Sequence, residues 1–181
     1  MSLLIGNDSN NTLDLGSVVG IAVGLGGDDK LTSPLNPAAP GSELYGNKGN
    51  DTVTSQGIGD TARGGRDNDY VINTSGQAFL FGDIGNDTVY GDRSQITVFG
   101  GAGDDSVYVV GKQNLIYGDL PPERSIGPDD TVPGNDTIVA VDGGDTIIAG
   151  GGDDYLDAGV KFASLLFGGE GKDTLYPGAD K

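Results

Sequence analysis

The sequence predicts an all-β solenoid built from coils of about 18 residues, each with two short strands joined by glycine-rich turns. Three observations carry this prediction. Of 181 residues, 34 are Gly, and 24 are Asp against three Glu. Glu suits helices, whereas Asp and Gly suit turns and oxygen-ligand cages. A nine-residue unit recurs along the chain, with its best copies 18 residues apart. The apolar position of each unit leans to β-branched residues, which favour strand over helix.

The units can be justified in chain order. Residues 6–14 read G-N-D-S-N-N-T-L-D and 24–32 read G-L-G-G-D-D-K-L-T. Then come 46–54 (G-N-K-G-N-D-T-V-T), 64–72 (G-G-R-D-N-D-Y-V-I), 82–90 (G-D-I-G-N-D-T-V-Y) and 100–108 (G-G-A-G-D-D-S-V-Y). One copy is split, Gly118-Asp119 and then Gly134-Asn135-Asp136, and two more occupy 149–157 and 168–176. Position six is Asn11, Asp29, Asp51, Asp69, Asp87, Asp105, Asp136, Asp154 and Asp173. Between these lie weak units such as 73–81, 91–99 and 109–117, which keep only the apolar eighth position.

Strands this short bury nothing alone, but stacked coils bury a continuous column. The strong side supplies Leu13, Leu31, Val53, Val71, Val89, Val107, Ile138, Leu156 and Leu175. Ala22, Leu44, Ala62, Leu80, Val98, Ile116, Ile147 and Leu165 are expected to face them. Two proline-bearing stretches, 33–45 and 120–133, interrupt the period. Both read as loops leaving and rejoining one stack, so 1–181 is taken as a single domain. A linker between two domains is the other reading of 120–133, which carries the Asp129-Asp130 pair.

Composition narrows the function. Without Cys or His, His-based triads, thiol nucleophiles, disulfides and the usual zinc sites are excluded. A net charge of −17 makes nucleic acid a poor partner. No apolar run approaches a membrane span, and Met1-Ser2-Leu3-Leu4-Ile5-Gly6 is too short and uncharged for a cleavable leader. Paired acids such as Asp104-Asp105 and Asp153-Asp154 could suggest a glycosidase dyad. They recur coil after coil, however, and a catalytic site is singular, so no catalytic residue and no enzyme activity are assigned. The periodic Asn10, Asn50, Asn68, Asn86 and Asn135 raise ice binding, but no regular Thr row accompanies them.

A G-G-x-G-x-D turn points several carbonyls inward and ends in a carboxylate. Ca²⁺ takes six to eight such oxygens, whereas Mg²⁺ prefers a tighter octahedron with retained waters. Stacked at strand spacing of about 4.8 Å, unfilled acids would repel one another, so cation binding and folding are expected to be one event. A solenoid whose Asp and Asn side chains merely cap turns is the alternative.

The nonamers resemble the haemolysin-type calcium-binding (RTX) repeat, G-G-x-G-x-D-x-U-x with U apolar, over roughly 6–176. That resemblance implies a right-handed parallel β-roll with Ca²⁺ between successive turns. It implies ligation by the position-six Asp of both turns and by carbonyls of positions one to four. Carried over, the metal residues are Asp29, Asp51, Asp69, Asp87, Asp105, Asp136, Asp154 and Asp173, with the clearest gaps from Asp51 to Asp105. The implied carbonyls are those of Gly46, Lys48, Gly49, Gly64, Gly65, Arg66, Gly82, Ile84, Gly85, Gly100, Ala102, Gly103, Gly168 and Glu170. Asn11 is expected to give a weak terminal site. The other side, with Gly20, Ser42, Asp60, Ala78, Ile96, Asn114, Asp145 and Ser164 at position six, departs from the family. One filled row is therefore expected, about six to eight ions in all, with an isolated site near Asp145.

Position nine of the weak side is Tyr45, Arg63, Phe81, Phe99, Tyr117, Ile148 and Phe167. These either pack as a local ladder that covers the insertion or form an exposed interaction stripe. The sequence thus reads as an extracellular or cell-surface calcium-binding module for adhesion or self-assembly, with a homo-oligomer or head-to-tail filament as partner state. The runner-up is an accessory domain of a larger secreted enzyme that binds polysaccharide or assists folding.

Overall fold

The computed structural model describes residues 1–36, 40–121 and 132–178. Most of the second insertion, with the Asp129-Asp130 pair, and residues 37–39 of the first lie outside the described residues. Among the described residues every regular element is a strand, in two nine-stranded parallel sheets. One sheet holds β1 (Ser2–Ile5), β3 (Gly20–Gly26), β5 (Glu43–Lys48), β7 (Thr61–Arg66), β9 (Phe79–Ile84), β11 (Thr97–Ala102), β13 (Leu115–Asp119), β15 (Thr146–Gly151) and β17 (Leu165–Glu170), in that order. The other holds β2 (Thr12–Asp14), β4 (Lys30–Thr32), β6 (Thr52–Ser55), β8 (Tyr70–Asn73), β10 (Thr88–Gly91), β12 (Ser106–Val109), β14 (Thr137–Ala140), β16 (Tyr155–Asp157) and β18 (Thr174–Tyr176). Each coil thus runs up one sheet, through an Asp-bearing turn, and back along the other. Both sheets continue in sequence order across the two insertions.

Register stacks like on like. Val53, Val71, Val89, Val107, Ile138 and Leu156 pair in succession, and all are buried. Leu44, Ala62, Leu80, Val98, Ile116 and Ile147 form the facing column. Both columns belong to one apolar cluster running the length of the stack. The last coil corrects the expectation for Leu165. Ile147 pairs with Leu166, which packs against the core, while Leu165 is 54% exposed. One extra residue separates Asp154 from Asp173, and a slip of one residue turns a strand's side chains over.

The position-nine residues form a ladder that is packed, not open. Phe81 and Phe99 stack at 4.8 Å between centroids, and Phe99 and Tyr117 at 4.9 Å. The Arg63 guanidinium closes one end, 3.9 Å above the Phe81 ring and ion-paired with Asp83. Phe81 and Phe99 are only 5% and 1% exposed, because Leu120, at the root of the second insertion, packs with them. Of the expected stripe, Tyr45 and Tyr117 are half-buried and Phe167 alone is exposed. The ladder anchors the insertion. It does not present a surface.

Candidate metal centre: a row of buried carboxylates

Each Asp-bearing turn joins an odd strand to the following even strand, and its backbone is set by alternating conformations. In the uninterrupted turns from Gly24 on, positions two and four take positive φ, as at Gly101 and Gly103 (130° and 113°) or Gly150 and Gly152 (127° and 117°). Glycine adopts this region without the steric cost other residues meet. Asn47, Asp83 and Asp67 also hold it, consistent with the tolerance of Asn and Asp there. The alternation sends successive carbonyls in opposite directions along the stack. Position-one oxygens of Gly46, Gly64, Gly100, Gly118 and Ala149 point back at the position-one glycine of the preceding coil, or at the space above it. Position-four oxygens of Gly85 and Gly103 point forward, toward the next coil.

The position-six residues form a ladder of their own. Oδ1 of each Asp accepts the backbone N–H of its counterpart one coil earlier. The bonds are 2.7 Å from Asp29 to Asp51, from Asp51 to Asp69 and from Asp69 to Asp87. They are 2.8 Å from Asp87 to Asp105, 2.9 Å from Asp105 to Asp136 and 2.8 Å from Asp136 to Asp154. This fixes every carboxylate with its second oxygen turned inward. Oδ2 of Asp29, Asp51, Asp69, Asp87, Asp105, Asp136 and Asp154 is buried without a hydrogen-bond partner. A buried carboxylate oxygen left so costs several kcal/mol unless protonated or given a cation.

What surrounds those oxygens is oxygen. A Cβ built on Gly46 would stand 2.2 Å from Asp51 Oδ2 and 2.4 Å from the Gly64 carbonyl oxygen. The same pair of atoms crowds Gly82 (2.4 Å from Asp87 Oδ2 and 2.4 Å from the Gly100 carbonyl) and Gly100 (2.5 Å from Asp105 Oδ2 and 2.5 Å from the Gly118 carbonyl). Position one is therefore glycine for space, whereas positions two and four favour glycine for φ. Among the described residues no three Asp, Glu, His or Cys side chains gather at one point. Further ligands must come from backbone, which is the mixture a hard divalent cation takes. The residues fit Ca²⁺.

Electrostatics agrees. Burial, reinforced by the neighbouring Asp51 and Asp87 carboxylates, pushes Asp69 up to about 9 against the opposing N–H of Asp51. Asp105 rises to about 9, chiefly by burial, and Asp51, Asp87 and Asp136 to about 7 for the same reason. Asp154 reaches about 6. A cation in the row would reverse this preference for the neutral form.

The other expected residues are placed as follows. Carbonyls of Ala102 and Glu170 already accept backbone N–H groups of Gly85 and Gly152, and Lys48, Arg66 and Ile84 hold the same register as Ala102. Gly82 and Gly168 hold position one, Gly65 position two, and Gly49 position four. Asn11 is satisfied within its own turn, accepting from Asn7 N–H at 2.7 Å. Asp145 rises to about 6 by burial, opposed by Asn114, whose backbone N–H donates to Asp145 Oδ1 at 2.8 Å and whose side-chain amide faces the carboxylate. An N–H₂ group is a poor neighbour for a cation, so this pair departs from the row. Asp60 is saturated instead: it accepts from Ser42 N–H, Ser33 and Ser55 hydroxyls and Gly57 N–H. Hydrogen bonds hold the weak-side turn there.

Sequence reasoning missed the carbonyls of Gly118 and Ala149, because the insertion splits one turn and an alanine begins the next. It also missed Asp119, whose carboxylate accepts from Gly134 N–H at 3.2 Å and Gly151 N–H at 2.7 Å and so clamps the insertion's return to the stack. The periodic Asn and Asp at position five have a plain role. Their Oδ1 atoms accept from the next coil's backbone: Asn50 from Asn68 N–H (3.1 Å), Asn68 from Asn86 N–H (2.8 Å) and Asn135 from Asp153 N–H (2.7 Å).

No curated protein and no solved structure matches the chain. A family model described as the RTX calcium-binding nonapeptide repeat matches it four times, over 43–57, 72–107, 130–160 and 162–181, together more than half the sequence. The turns that the structure stacks are the units this family is defined by, and the chain belongs to the RTX calcium-binding repeat family.

Proposed function

We propose that this chain is a calcium-triggered structural module, without catalysis of its own, that works outside the cell or at its surface in adhesion or self-assembly. The observation that carries the reading is the row of seven buried, unpartnered Oδ2 atoms. A fold that aligns repelling carboxylates is completed by a cation, and extracellular calcium modules operate at roughly 0.1–1 mM. The test is far-UV circular dichroism and sedimentation velocity on EDTA-treated protein. A β signal should develop cooperatively with Ca²⁺ and not with equal Mg²⁺. A chain already folded in EDTA and indifferent to Ca²⁺ would overturn the reading. A sedimenting mass above the 18.3 kDa of one chain after folding would support self-assembly.

The surface suited to contact is the outer face of the even-numbered sheet, which sequence reading passed over. From β6 to β14 its outward positions are Thr, Ser, Tyr, Ile and Val without one charge, on a chain of net charge −17. Tyr70 and Tyr108 are 42% and 41% exposed, and Tyr90 stacks on Tyr108 at 5.7 Å. Replacing Tyr70 and Tyr108 by Ser should leave calcium-dependent folding intact and weaken self-association or surface binding several-fold. Unchanged association and adhesion in the double variant would remove this face from the proposal. Among the described residues no helix is long and apolar enough to cross a membrane.

A further inference from the structure

We propose that the calcium row stops one gap short of its apparent length, and that the methyl group of Ala149 is what closes the final gap, between Asp154 and Asp173. The inference rests on the calcium reading above.

Position one is Gly6, Gly24, Gly46, Gly64, Gly82, Gly100, Gly118 and Gly168 in eight of the nine turns, and Ala149 in the other. At all eight glycines an added Cβ would fall 2.0–2.5 Å from an Oδ atom of the position-six residue of the same turn. Real Cβ atoms do not approach oxygen so closely, so a methyl there requires the carboxylate oxygen or the next coil's carbonyl to draw back from the gap. At Ala149 the methyl is present. Its counterpart in that turn is Asp154, whose Oδ2 is buried and without a partner.

The alanine has two opposite effects. Its carbonyl points toward Gly118, 2.6 Å from where a Cβ would be, and so serves the preceding gap as the glycine carbonyls do. Its side chain, 1% exposed, joins the apolar core and lines the following gap with carbon. A CH₃ group offers no lone pair and displaces about the volume a cation with short Ca–O distances of ~2.3–2.6 Å would need. The hydrogen bond across this last step is also the longest between successive Asp residues of the row, 3.2 Å from Asp154 N–H to Asp173 Oδ1. Six gaps keep both glycine at position one and Asp at position six of the same turn: those beginning at Asp29, Asp51, Asp69, Asp87, Asp105 and Asp136. The coil carrying Thr174–Tyr176 is then held without a cation, by backbone pairing, Leu166 packing, the Tyr155–Tyr176 ring contact and the bonds from Asp154 N–H to Asp173 and from Lys172 N–H to Asp153.

Equilibrium dialysis with ⁴⁵Ca²⁺ at saturating calcium tests this on the full chain, with folding of each variant verified by circular dichroism. A149G should bind one more ion per chain than wild type, and G100A, which places a methyl in an intact gap, at least one fewer. Hydrogen exchange at Thr174–Tyr176 gives an independent readout: in calcium, A149G should slow it at least about tenfold relative to wild type. Equal, non-zero stoichiometry for wild type and A149G would overturn the inference and leave the calcium reading standing. So would a folded G100A that binds as many ions as wild type. A wild-type chain that binds no calcium would overturn the calcium reading itself, and this inference with it.

Discussion

Stripped of calcium, the chain should be most folded in mild acid and should lose its β signal as pH rises from about 4 to 9, the reverse of ordinary acid denaturation. The sign follows from the row. Asp51, Asp87 and Asp136 are raised to about 7 in the fold and Asp69 and Asp105 to about 9, while an unfolded Asp titrates near 3.9. Below the unfolded value both states are protonated, and the fold keeps its full stability. Between the two values the fold holds protons that the unfolded chain has released, so raising pH favours unfolding. At about 1.4 kcal/mol per pKa unit, even a fraction of these five displacements rivals the ~5–15 kcal/mol net stability of a domain. Calcium should invert the trend, because protons and cation compete for the same oxygens, and apparent calcium affinity should climb across that window. Circular dichroism from pH 4 to 9, in EDTA and in excess Ca²⁺, measures both arms. A calcium-free β signal that is flat with pH, or strongest at pH 8, contradicts the assignment of the buried row.

The second large effect is expected at Asp87, mid-row. Asp87→Ala removes the acceptor for Asp69 N–H, a 2.7 Å bond in a buried setting, and takes one carboxylate from the gaps. The orphaned N–H costs about 1–3 kcal/mol, so the calcium concentration for half-folding should rise at least about tenfold. Asp87→Asn separates the two roles. It keeps an oxygen for Asp69 N–H and removes the charge that burial disfavours. Without calcium at pH 8, the Asn variant should therefore be more folded than wild type, yet need more calcium to saturate. Calcium titrations followed by circular dichroism distinguish these outcomes. If Asn and Ala behave alike, the carboxylate's charge has no separate part in the row.

Much of this was legible in the residues because periodicity is a property of sequence. The 18-residue spacing of Asp51, Asp69, Asp87 and Asp105, and the apolar column two residues beyond each, determine coil length, parallel stacking and the row itself. Glycine at positions two and four is legible for the same reason, since the φ requirement is local. Register within a coil is less so: Leu165 and Leu166 look interchangeable in sequence, and only pairing with Ile147 shows which turns inward.

Other features arise from distances between coils, which no pattern along the chain contains. From alternation alone the aromatic row could be a packed ladder or an exposed stripe. It is buried because Leu120, at the insertion's root, packs on Phe81 and Phe99. Asp60 and Asp87 are both position-six acids. One is saturated by Ser33 and Ser42 of the preceding coil together with Ser55 and Gly57 of its own turn, and the other is left with a bare oxygen, so environment decides which takes part in the row. Ala149 differs from glycine by one methyl, a mild change by propensity. The tertiary structure makes it decisive, because that methyl points where the other turns leave room between oxygens, and at contact range steric exclusion outweighs any local preference.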